Sequence, residues 1–105
     1  MTEPIRISPQ QAREKVNAVS ALLVCAYDDE DKFRNNHLEG AISFSEFQSR
    51  LPSLSREQEI IFYCAWTGEA SAAGLAEKYL NDGFINATVL GGGVDGWKGA
   101  GYPLN

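Results

Sequence analysis

Metal ligands and disulfide-forming thiols are both scarce in this chain. Its 105 residues include two cysteines, Cys25 and Cys64, and one histidine, His37. Two cysteines cannot knit a small scaffold together, and with a single histidine they make a poor metal set. No metal or other cofactor is therefore expected. Positive charge is short as well: nine Lys and Arg face fourteen Asp and Glu, for a formal net charge of -5. Nucleic acid and anionic membrane surfaces are bound through a basic face, so neither is an expected partner. No apolar run approaches the roughly 20 residues that span a bilayer. Met1-Thr2-Glu3-Pro4 shows neither the basic start nor the apolar stretch of a secretory signal. A cytoplasmic location is expected.

What is present has the balance of a globular domain, 44% hydrophobic and 22% charged, and this length suffices for one core without staples. Leu51-Pro52-Ser53-Leu54-Ser55 is the nearest thing to a linker and is too short to separate domains. One domain over residues 1–105 is expected.

Strand and helix signals alternate along it. Ile5 to Ile7 reads as a short strand, and Ser8-Pro9 opens a helix to about Ala18, with Ser8 as cap and Pro9 in the first turn. Ala21 to Ala26 is a continuous apolar run, the mark of a strand buried on both faces. Asp28 to Asn35 reads as a short helix with an acidic start, Gly40 to Phe44 as a strand, and Ser45 to Leu51 as a helix capped by Ser45. Glu59 to Cys64 is the strongest strand. Ser71 to Asn81 carries Ala72, Leu75, Ala76, Tyr79 and Leu80 at helical spacing, and Asp82-Gly83 ends it with a left-handed cap. Ile85 to Leu90 reads as the last strand and Val94 to Lys98 as a last helical turn. Buried strands alternating with helices predict an α/β fold, a parallel sheet covered on both faces.

Cys64 is the residue to explain. It ends the most apolar strand, and Ala65, Trp66, Thr67, Gly68, Glu69 and Ala70 lead from it into a helix. Open α/β sheets bind ligands at the carboxyl ends of their strands, where helix N-termini point. A loop there can aim several backbone N–H groups inward as an anion nest. A thiolate in that nest is stabilised, so its pKa falls below the free value of about 8.5 and the sulfur becomes a nucleophile at neutral pH. The competing reading is a small buried hydrophobe, the common fate of a free cysteine. The loop and helix after Cys64 bring the nucleophile level with it, and both readings stay open here.

Several segments, in order, resemble the rhodanese-like domain family. They are Leu22-Leu23-Val24, His37-Leu38-Glu39-Gly40-Ala41-Ile42, Tyr63-Cys64 with its short loop, Ala70-Ser71-Ala72-Ala73, Asp82-Gly83-Phe84, Leu90-Gly91-Gly92-Gly93, and Gly96-Trp97 with Ala100-Gly101-Tyr102-Pro103. The resemblance runs from about Ile5 to Leu104. It implies a single rhodanese-like domain, a five-stranded parallel sheet in the order 1-5-4-2-3 with helices on both faces. It also implies a sulfurtransferase. Cys64 would take a sulfane sulfur from thiosulfate or a related small anionic donor, hold it as a persulfide, and pass it to a thiophilic acceptor, a small molecule or a protein. Residues 65–70, Ala65, Trp66, Thr67, Gly68, Glu69 and Ala70, would form the substrate cradle. The alternative within the family is a sulfur carrier, sensor or protein-interaction module with little turnover on thiosulfate.

Three features depart from the family pattern. Many active members carry an arginine near the end of the loop; here Glu69 and Ala70 occupy that stretch and no basic residue does. The step from Cys64 to Ser71 looks one residue longer than the sulfurtransferase loop and approaches that of related phosphatases and arsenate reductases. Those enzymes need an arginine that forks onto the oxyanion, and Ala70 stands at the matching position. Cys25-Ala26-Tyr27 replaces the Asp-x-Arg that often follows the second strand.

The other candidates have plainer readings. In the implied strand order Cys25 lies beside the strand of Cys64; a relay thiol and a buried apolar thiol are both open, and the second is favoured. The resemblance makes His37 a structural residue ahead of the third strand. Trp66 either walls the pocket or packs over the strand ends. Trp97 resembles the tryptophan of the family's C-terminal Gly-Gly-x-x-x-Trp, which implies a place in the core. Gly91 to Gly93 lacks the Lys-Ser/Thr of a phosphate loop and reads as a turn. Asp28 to Asp31 lacks the ligand spacing of a calcium loop.

Overall fold

The computed structural model describes residues 4–18, 20–26, 38, 40–63 and 70–102. Five parallel strands form one sheet in the order β1-β5-β4-β2-β3: β1 Ile5–Ile7, β2 Ala21–Cys25, β3 Ala41–Ile42, β4 Glu59–Tyr63 and β5 Ala87–Leu90. The order is the expected one, and it puts β4 at the centre. The helices are α1 Pro9–Asn17, α2 Phe44–Arg50, α3 Ala70–Asn81 and α4 Gly93–Gly99, with a 3-10 turn at Leu51–Ser53. No helix among the described residues is long and apolar enough to cross a membrane.

Strand alternation sorts the core into two layers. Ile7, Leu23, Cys25, Ile61, Tyr63 and Leu90 face one side, where Ala12 of α1 and Trp97 of α4 close over them. Val24, Ile60, Phe62, Ala87 and Val89 face the other and pack on Phe47 of α2 and Ala72, Ala76 and Tyr79 of α3. Each central strand thus buries both faces, which is why β2 and β4 read as unbroken apolar runs. Trp97 is fully buried, as expected of core. Truncating such a side chain typically costs about 3–5 kcal/mol.

The element ends show where local signals hold. Ser8 caps α1 in a reciprocal box with Gln11, each side chain bonding the other's backbone N–H at 3.1 Å. Helix α3 ends as Asp82-Gly83 foretold: Gly83 has φ +103°, its N–H reaches Leu80, and the Phe84 N–H reaches Tyr79. The Phe84 ring then meets Tyr79 edge-on with centroids 5.9 Å apart, the apolar contact that accompanies such a cap.

Several boundaries differ from the sequence reading, among them a last helix of Gly93–Gly99 where Val94 to Lys98 was expected. Helix α2 starts at Phe44, capped by Ser43 rather than Ser45: the Ser43 hydroxyl accepts from the Glu46 N–H at 3.1 Å. Both serines are competent caps, and the earlier one satisfies a first-turn donor while Phe47 turns into the core. Strand β3 is accordingly only Ala41–Ile42. Strand β5 begins at Ala87, because Ile85 and Asn86 lie in a turn and Ile85 is 66% exposed. Helix α3 begins at Ala70, one residue before the Ser71 start expected from the sequence. The helix reading of Asp28 to Asn35 lies outside the described residues.

Candidate active site

Parallel strands with helical crossovers bring every strand C-terminus to one edge of the sheet, and the helices start there. Ser8 leads β1 straight into α1, Gly91-Gly92 leads β5 into α4, and residues 64–69 join β4 to α3. The glycines permit the crowding. Gly92 sits at φ +80°. A Cβ on Gly96 would come within 2.9 Å of the Gly91 carbonyl oxygen, so α4 can cross there only without one. The Gly91 to Gly93 segment is the turn the sequence suggested, with Gly93 opening α4.

At this edge β4 delivers Tyr63 as its last residue, and the next residue in the chain is Cys64. Cys64, Ala65, Trp66, Thr67, Gly68 and Glu69 lie outside the described residues. Ala70 is described as the first residue of α3. Six residues, 64–69, separate the end of β4 from the start of α3. Helix α3 runs for 12 residues with its N-terminus at this edge, so its dipole favours negative charge beside the connection.

The neighbouring strand brings in the second cysteine. Cys25 pairs in register with Tyr63, and the Ala26 N–H reaches the Tyr63 carbonyl at 2.7 Å. The Cys25 side chain is 2% exposed and belongs to the layer under α1 and α4, with Leu23, Leu38, Ile61 and Tyr63. The structure therefore gives Cys25 the buried apolar position. His37 lies outside the described residues, but its neighbour Leu38 is fully buried in the same layer.

Two residues gain a place here that their sequence context did not reveal. The Tyr63 hydroxyl accepts from the backbone N–H of Leu38, which ties the segment before β3 to the end of β4. Arg6 pairs with Val89 on the α3 side of the sheet and, among the described residues, lines a cleft of about 430 Å³ with Pro4, Ala73 and Val89. Strand alternation could have assigned Arg6 a face, but not a neighbour in the first turn of α3.

A family model, the Rhodanese-like domain, matches residues 8–100. No curated protein matches the sequence. Solved structures share the fold. The Alr3790 protein from Anabaena sp. is 18% identical with a TM-score of 0.80, covering 94% of this chain and 90% of that one. A rhodanese-related protein from Thermoplasma volcanium is 20% identical with a TM-score of 0.69, covering 96% and 97%. A thiosulfate sulfurtransferase from Pseudomonas aeruginosa is 22% identical with a TM-score of 0.79 over 97% of this chain and 20% of its own length.

Proposed function

Because the chain belongs to the rhodanese-like domain family, we propose that it is a sulfurtransferase whose carrier is Cys64. The observation that carries this reading is positional. Cys64 follows directly on the apolar central strand and lies six residues before Ala70, the first residue of a 12-residue helix. A thiolate there gains from the helix dipole and from the N–H donors that a short loop can turn inward.

In the first half-reaction the Cys64 thiolate attacks the outer sulfur of thiosulfate. A new S–S bond forms, the donor's S–S bond breaks, and sulfite leaves with the electron pair. In the second, a thiophilic acceptor such as cyanide or a thiolate attacks the terminal sulfur. It departs with that sulfur and regenerates the Cys64 thiolate. The persulfide anion needs the same donors as the thiolate, and neither half-reaction calls for a metal. Residues 65–70 would cradle the donor, and the setting would be the cytoplasm.

A second reading follows from residues 64–70, which hold no Lys or Arg. A module that carries or senses sulfur for a protein partner would need less attraction for free thiosulfate. Intact mass after incubation with thiosulfate tests the first reading. We expect one added sulfur atom on wild-type protein and none on Cys64→Ser, with thiosulfate:cyanide activity lost and the fold kept. Unchanged activity in Cys64→Ser would refute the assignment. A wild-type chain that gains no sulfur from thiosulfate but gains it from a protein persulfide would establish the carrier reading.

A further inference from the structure

We propose that the open cleft at the C-terminal end of α3 is a second ligand site, fitted to a free amino acid with an apolar side chain. It goes beyond the sulfurtransferase reading. Helix α3 rises about 18 Å over its 12 residues, so the cleft lies a helix length from Ala70.

Leu51 and Pro52 of the 3-10 turn, Arg56, Tyr79, Asp82 and Phe84 line the cleft, which holds about 370 Å³. Ligand cavities begin at roughly 300 Å³, so the space suits one small molecule.

Unpaired charge on a surface is ordinary, but the Tyr79 hydroxyl is not. Tyr79 is 4% exposed, with its ring packed among Phe47, Phe62 and Phe84. Its hydroxyl has no hydrogen-bond partner among the described residues. Buried phenols usually find one. Among the described residues no sealed side-chain oxygen or nitrogen lacks a partner, so this oxygen touches solvent. The Asp82 carboxylate acts on the same phenol, and both residues line the cleft, so the oxygen faces it. Burial and that carboxylate keep the phenol protonated, and it can donate.

Two opposite charges flank this donor. The Arg56 guanidinium lies 4.6 Å from the centre of the Phe84 ring, and one N–H is taken by the Asp82 carbonyl. Those contacts hold it in place, and its other N–H groups have no partner among the described residues. A fork of N–H donors beside a phenol O–H matches a carboxylate. The Asp82 carboxylate makes no ion pair or hydrogen bond among the described residues. It stands just past the end of α3, where the helix dipole adds negative charge and favours a cation. A simple anion would meet Asp82, and a simple cation would meet Arg56. A molecule with both charges on one carbon satisfies each. Its carboxylate takes Arg56 and Tyr79, its ammonium takes Asp82, and its apolar side chain covers Leu51, Pro52 and Phe84.

The test uses three probes on the full chain. They are leucine, isocaproate, which is leucine without its ammonium, and isopentylamine, which is leucine without its carboxylate. Amide chemical shifts of isotope-labelled protein report binding. Leucine should shift the amides of Leu51, Arg56, Asp82, Gly83 and Phe84, and bind about tenfold more tightly than either fragment. Arg56 also holds the Asp82 carbonyl, so Tyr79→Phe and Asp82→Asn, which leave that contact in place, carry the test. Tyr79→Phe keeps the ring and should weaken leucine and isocaproate about tenfold, with isopentylamine unchanged. Asp82→Asn should weaken leucine and isopentylamine by about the same factor and strengthen isocaproate. No shift at these amides at the highest soluble leucine concentration overturns the proposal. So does either fragment binding as tightly as leucine, or leucine binding that neither folded variant weakens. No measurement here involves sulfur transfer, so a failure leaves the function proposed above as it stands.

Discussion

The backbone N–H of Leu38 donates a long hydrogen bond, 3.4 Å, to the hydroxyl of Tyr63, the residue covalently joined to Cys64. Both residues are buried, Leu38 completely and Tyr63 at 1% exposure. The pair bridges 25 residues of sequence and links the segment before β3 to the end of the central strand. A backbone donor without access to water needs such a partner.

Tyr63→Phe keeps the ring and removes the acceptor. We expect a loss of about 1–2 kcal/mol, because a buried donor loses its partner. In a domain of this size that lowers Tm by roughly 5–10 °C. Thermal unfolding followed by circular dichroism measures it, and an unchanged Tm would mean that water or another acceptor satisfies Leu38.

Cys25→Ala should leave persulfide formation on Cys64 intact. The Cys25 thiol faces the layer under α1 and α4, packed among apolar side chains. Removing its sulfur should cost about 1–2 kcal/mol through lost packing. In native wild-type protein one thiol should alkylate rapidly, and the second only after denaturation. A Cys25–Cys64 disulfide formed in high yield on oxidation, with turnover lost in the variant, would identify Cys25 as a relay instead.

Tyr79 links stability to alkaline pH. Burial raises its phenol pKa above the usual 10.0, and the nearby Asp82 carboxylate raises it further. The folded state therefore holds the proton more tightly than the unfolded state does. Its contribution is complete below about pH 10 and is lost as pH rises through the higher folded value. Denaturant midpoints measured from pH 8 to pH 11 should fall on the alkaline side. Tyr79→Phe should flatten that decline while keeping the ring packing with Phe47, Phe62 and Phe84.

Phosphatase activity on aryl phosphates should be negligible. The connection of residues 64–69 carries Glu69 and no guanidinium, and Ala70 is already the first residue of α3. A phosphate dianion would meet backbone donors and a like charge without the forked arginine that holds an oxyanion. Phosphate release assays on wild type and Cys64→Ser check this, and robust Cys64-dependent release would place the protein with the phosphatases.

Local chemistry settles a good part of this molecule. The Ser8 box with Gln11, the Gly83 cap and the apolar runs of β2 and β4 depend on residues a few positions apart, so spacing alone reveals them. Cys64 after the strongest strand stands out for the same reason. Face assignment within a strand also follows from a period of two, which is how Cys25 and Tyr63 divide from Val24 and Phe62. Contacts between strands are different, because sequence does not encode which chain segment lies next door. The choice of Ser43 over Ser45, the short β5 with Ile85 left outside it, and the helix start at Ala70 were decided by how each segment docks on the sheet. The bond between Tyr63 and Leu38 arises only when β4, β2 and β3 lie side by side, and the approach of Arg6 to the first turn of α3 only when β1, β5 and β4 do. Those pairings join residues dozens of positions apart, and only the folded sheet brings them within reach.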